Sequence, residues 1–134
     1  LFLLLPACAV PSTPTAPAAT PGGVLVAYHR SGGFAGLNDS LVVQEDGKAT
    51  LSRRASQSEF TLKPEELERL KTALSQSNFS SIPSESRPRA LVPDAFSYEV
   101  TYRGHIVRTA DTAVPKPLEP VLVALNAVVD SGPR

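Results

Sequence analysis

The sequence predicts an α+β domain, a small antiparallel sheet of about four to five strands with two helices packed on it, in the order β-β-β-α-β-β-α. Three observations predict it. Short runs rich in β-branched and aromatic residues, near residues 24–30, 39–44, 49–54, 96–102 and 105–110, are bounded by turn-forming residues. Two longer segments, 64–78 and 117–130, carry leucine and valine at helical spacing. The helices follow groups of hairpins instead of alternating with single strands, which favours antiparallel pairing with helices on one face.

Val24, Val26 and Tyr28 alternate with Leu25, Ala27 and His29, so the first strand, 24–30, reads as buried on both faces. "DSLVVQ" and "ATLSRR" flank "EDGK", a hairpin turn in which Gly47 is free to take positive φ. "SEFTL" continues extended toward Pro64. Pro64 then suits the first position of a helix, Glu65 and Glu66 sit at the positive end of its dipole, and Leu62 and Leu67 fall at the staple positions. Lys63 is a poor N-cap, while Leu67, Leu70 and Leu74 line one face. Residues 80–93 form a polar, proline-containing loop.

In "AFSYEVTY", Phe96, Tyr98, Val100 and Tyr102 share one face. A two-residue turn at Arg103-Gly104 sets Val100 opposite Val107 and Glu99 opposite Arg108, a core pair and an opposite-charge pair. In the final helix Leu118, Val121, Leu122, Leu125, Val128 and Val129 form the apolar stripe, with Pro117 and Pro120 tolerated in the first turn.

Residues 1–7 of "LFLLLPACAV" read as the end of a lipoprotein signal peptide, and "LPAC" has the shape of a lipobox that would make Cys8 a lipidated N-terminus. Residues 8–23, nearly all small residues, threonine and proline after Cys8, read as a tether, and the globular domain as residues 24–134. The expected setting is extracytoplasmic, anchored to a bacterial membrane by lipid alone. Cys8 is the only cysteine, which excludes disulfides within the chain. Thirteen basic and 13 acidic residues cancel, so no basic footprint points to nucleic acid. A monomer is expected.

Most catalytic patterns fail. "HRSGGFAGLND", residues 29–39, lacks phosphate-loop spacing and its lysine, and it joins two strands. His29 and Ser31 have no orienting acid or nucleophile elbow, so His29 reads as a sheet-edge side chain bonded locally. His105, beside a hairpin turn, reads as solvated, and no acid cluster joins either histidine as a metal site. Asp94 and Asp111 approach the same end of the last hairpin. They read either as a functional acid pair or as turn residues that brace the strand ends through backbone hydrogen bonds. The expectation is a protein without catalytic residues, metal or cofactor.

"RSGGFAG" after a first strand, then a helix, "PDAFSYEVTY", "HIVRTAD" and a final "PLEPVLVAL" resemble the emfourin family, protein inhibitors of thermolysin-like zinc metalloproteases. The similarity runs from about Tyr28 to Leu125 and is most specific at Arg30–Gly36 and Pro93–Tyr98. The leader and tether are additions to that pattern. The resemblance implies a thermolysin-like partner, an enzyme class preferring a bulky apolar residue just after the scissile bond. Phe34 or Leu37 would then fill that pocket, with Ser31, Gly32, Gly33, Ala35 and Gly36 along the cleft and Arg30 paired to a partner acid. Pro93, Asp94, Phe96 and Asp111 are secondary contacts or structural. Two alternatives stand beside this: Phe34 folds back to cap the sheet, or the domain is a non-inhibitory binding module of the cell envelope.

Overall fold

A computed structural model describes residues 23–90 and 92–134. The expected signal peptide, Cys8 and all of the tether before Gly23 lie outside the described residues. The strands are β1 (Val24–Gly32), β2 (Leu37–Gln44), β3 (Lys48–Arg53), β4 (Ser56–Thr61), β5 (Phe96–Tyr102) and β6 (His105–Ala110). The helices are α1 (Pro64–Gln76) and α2 (Glu119–Ser131), and short 3-10 turns stand at Phe79–Ser81 and Lys116–Leu118. All six strands form one antiparallel sheet in the order β4-β3-β2-β1-β5-β6, so the α+β class holds with six strands where four to five were expected.

The additional strand is β4. "SEFTL" does not merely run extended: residues 56–61 pair with β3 across the two-residue turn Arg54-Ala55, with Arg53 opposite Ser56 and Ala49 opposite Phe60. β1 also differs from expectation, because its two faces are unequally buried. A bulge between Val24 and Val26 turns both Leu25 and Val26 into the core, while Val24 stays exposed and Ala27 and His29 are half-buried.

The helices cover one sheet face. Val26, Tyr28, Leu41, Val43, Leu51, Val100 and Val107 point into that layer, where they meet Leu70 and Leu74 of α1 and Val121, Leu125 and Val129 of α2. α1 begins at Pro64 as expected; Lys63 supplies no side-chain cap bond, but the Glu66 carboxylate reaches back to accept the Lys63 N–H at 3.0 Å. α2 starts two residues later than Pro117, after the 3-10 turn, yet all six stripe residues are buried. In the last hairpin Val100 faces Val107 and Glu99 faces Arg108, the expected register. Arg103 (φ 48°) and Gly104 (φ 79°) supply its two left-handed turn residues.

The two sheet edges differ. Outside β6, the segment Ser84–Ser86 adds a short parallel rung, with Arg108 N–H donating to Ser84 O and Ser86 N–H to Arg108 O, both at 2.9 Å. No helix among the described residues is long and apolar enough to cross a membrane.

Candidate functional site

β1 and β2 are joined by Gly33–Gly36, a reversal closed by Gly36 N–H donating to Gly33 O at 3.0 Å. Phe34 stands at its tip with 95% of its surface exposed, so it does not fold back over the sheet. Ala35 and Gly36 are also exposed. Leu37 opens β2 half-buried, and Ser31 is half-buried on the sheet face away from the helices, beside Ser97.

The base of this loop is fixed by its neighbours. A Cβ on Gly32 would sit 2.5 Å from Ala95 O, and one on Gly33 would sit 2.7 Å from the Phe96 ring, while both residues hold positive φ (101° and 72°). Only glycine satisfies both demands, backbone hand and close approach. Gly33 N–H reaches Ala95 O at 3.5 Å. On the far side, Arg54 in the β3–β4 turn donates to Gly36 O at 3.0 Å.

Beneath the loop lies a polar and aromatic layer between sheet and α2. Arg30 is half-buried, its side chain 11% exposed, and its guanidinium donates to Asp39 Oδ2 at 2.8 Å, Asn126 Oδ1 at 3.1 Å and Asp130 Oδ1 at 3.3 Å. The expected pairing of Arg30 with a partner acid is therefore corrected. β-sheet register places Asp39 directly across from it, and α2 supplies the other acceptors, so the charge is spent inside the domain. Burial opposes its charge, but the Asp39 hydrogen bond and the fields of Asp130 and Asp39 outweigh that, and the Arg30 pKa is raised. The guanidinium also lies 5.8 Å from the Phe96 ring centroid.

Phe96 stacks on Tyr98 (centroids 6.2 Å apart), and Tyr98 on Tyr28 (6.3 Å). Tyr28 OH donates to Asn126 Oδ1 at 2.8 Å and Tyr98 OH to Asp111 Oδ1 at 2.5 Å. Desolvation raises both phenol pKa values, and for Tyr98 the Asp111 bond adds to it, so both remain protonated donors at ordinary pH.

Of the two aspartates, Asp111 braces the strand end: its other oxygen accepts Phe96 N–H at 2.9 Å, and its own N–H donates to Phe96 O at 3.0 Å. Asp94 does not share that role. It occupies the exposed turn Val92–Ala95, and its carboxylate makes no hydrogen bond among the described residues. Pro93 is exposed beside it, whereas Phe96 is half-buried as the loop's support.

Two histidine expectations change. His29 does bond locally, to Asn38 Oδ1 at 2.6 Å, but on an interior strand. His105 is half-buried rather than solvated: its Nε2–H donates to Ile82 O at 2.9 Å and its ring meets Phe79 edge-on at 5.7 Å. His29 and Ser31 line an open cleft of roughly 410 Å³ on the outer sheet face, where Arg108 is paired with Glu99 and Arg87 with Glu85. No nucleophile–base pair is formed by these contacts. Among the described residues no three metal-ligating side chains converge.

Sequence reasoning missed Asp39, Asn126, Asp130 and Arg54 as supports of the loop. The signal for Asn126 was present: a lone amide beside Leu125 and Val129 in an apolar helix stripe demands a polar partner. No protein-family model matches the chain, and no curated protein matches it.

Proposed function

We propose that the domain is a protein inhibitor of a thermolysin-like zinc metalloprotease, acting as a monomer held to a membrane outside the cytoplasm by lipidated Cys8. Phe34 carries this reading: it is 95% exposed at the tip of a loop fixed by Phe96, Ala95 and Arg54. Any small polar residue would serve a reversal between strands. A phenylalanine kept in water forgoes about 1.5–3 kcal/mol of burial energy, which a partner pocket recovers. A loop already fixed also loses little ordering entropy on binding. The resemblance to emfourins supplies the kind of pocket, the apolar one that receives the residue after the scissile bond.

The domain without leader and tether is to be titrated against thermolysin and against an unrelated serine protease. Selective inhibition of thermolysin is expected. Equal inhibition of both, or none of either at micromolar concentration, contradicts the reading, and the latter result favours a non-inhibitory envelope module. The anchor is tested separately in the full-length precursor. Cys8→Ser is expected to move the protein from the membrane fraction to the soluble one, and continued membrane association at high salt would refute the lipid anchor.

A further inference from the structure

The turn Val92–Ala95 is built around a residue that is unfavourable there. Asp94 holds φ at +64°, while Ala95 N–H closes the turn on Val92 O at 3.3 Å. Aspartate visits this region more readily than most residues, chiefly when its carboxylate bonds nearby backbone. The Asp94 carboxylate has no such bond and no cation partner among the described residues, in contrast to Asp111, both of whose oxygens are occupied. The left-handed backbone therefore holds a solvent-exposed carboxylate that is uncommitted among the described residues.

Position gives this carboxylate meaning. Gly33 N–H donates to Ala95 O at 3.5 Å, so the Asp94 turn is fastened to the residue immediately before Phe34. Resting on the inhibitor reading, Phe34 fills the pocket just after the scissile position, which puts Gly33 where the scissile carbonyl of a substrate faces the catalytic metal. Gly33 O is already taken by Gly36 N–H at 3.0 Å. The adjoining turn instead offers the exposed Asp94 carboxylate, an oxygen donor that zinc accepts. We propose that Asp94 is a zinc-directed anchor: its carboxylate replaces the water on the protease zinc while Phe34 fills the neighbouring pocket. No covalent bond in either chain forms or breaks.

The test uses thermolysin in zinc-loaded and zinc-stripped forms, with wild-type domain, Asp94→Gly and Asp94→Asn. Glycine and asparagine both tolerate the left-handed turn, so thermal unfolding is expected to stay unchanged. Binding is measured by calorimetry on both enzyme forms, with inhibition on the loaded one. Both variants are expected to bind loaded thermolysin about tenfold or more weakly than wild type. Wild-type affinity for stripped enzyme should fall to the level of Asp94→Gly, whose own affinity should not depend on zinc. Phe34→Ala, which loses a pocket contact, should weaken binding to both forms alike. Variants that bind like wild type overturn the assignment. So does an equal loss with and without zinc, which would put a basic side chain opposite Asp94. In either case, wild-type inhibition sensitive to Phe34→Ala leaves the inhibitor reading standing. A wild-type domain that binds neither form removes that reading and this anchor together.

Discussion

Arg30→Ala is expected to destabilise the domain by about 3–5 kcal/mol, the range for breaking a buried ion pair from one side. The side chains of Arg30 and Asp39 are 11% and 7% exposed, so water screens the pair little. Truncation leaves the Asp39 carboxylate buried without its countercharge and leaves Asn126 without one of its two donors. It also removes the Arg30 ties from β1 to Asn126 and Asp130 of α2, leaving the Tyr28 hydroxyl bond to Asn126 as the polar link there. Lysine is a poor replacement, since a compact ammonium lacks the fork that spans Asp39, Asn126 and Asp130. Urea unfolding provides the check. The midpoint should fall sharply for Arg30→Ala with an unchanged slope, and a double change of Arg30→Met with Asp39→Leu should recover much of the loss. An Arg30→Ala midpoint equal to wild type would mean that the pair does not hold the loop end together.

Elements with a strong internal period were legible. The β5–β6 register followed from strict alternation in "FSYEVTY" and a two-residue turn, and α1 followed from Pro64, the two glutamates and the leucine face. β4 was not legible as a separate strand. "SQSEFT" offers only Phe60 to the core, and its turn, Arg54-Ala55, contains no glycine, asparagine or aspartate and no positive φ. The two-sided burial expected of β1 failed because a bulge cannot be read from alternation: it lets Leu25 and Val26 share a face.

The candidate site divides in the same way. The glycine pattern marked the loop, but the direction of Phe34 depends on residues some sixty positions away, since Phe96 already fills the space against Gly33. Arg30 reads as an exposed charge in the string "HRSGG" until β2 and α2 are placed around it. Buried ion pairs of this kind are long-range facts, set by sheet register and helix docking and not by local spacing.

Phe34→Ala is expected to leave stability unchanged within about 0.5 kcal/mol, because an exposed side chain contributes little to the fold. Its effect should fall on binding. An aromatic anchor moved from water into a desolvated pocket contributes about 2 kcal/mol or more, roughly thirtyfold in affinity. Leu37 offers less to a pocket than Phe34, since it is half-buried at the start of β2. The loop backbone is held by Ala95, Phe96 and Arg54 independently of the Phe34 side chain, so the variant loop keeps its path and only the pocket contact is lost. The direct measurement is the inhibition constant of Phe34→Ala against thermolysin, beside wild type, with unfolding midpoints taken on the same samples. A constant raised about thirtyfold or more at an unchanged midpoint is the predicted result. Inhibition by the folded variant as strong as that of wild type would contradict the claim that this loop is the binding surface.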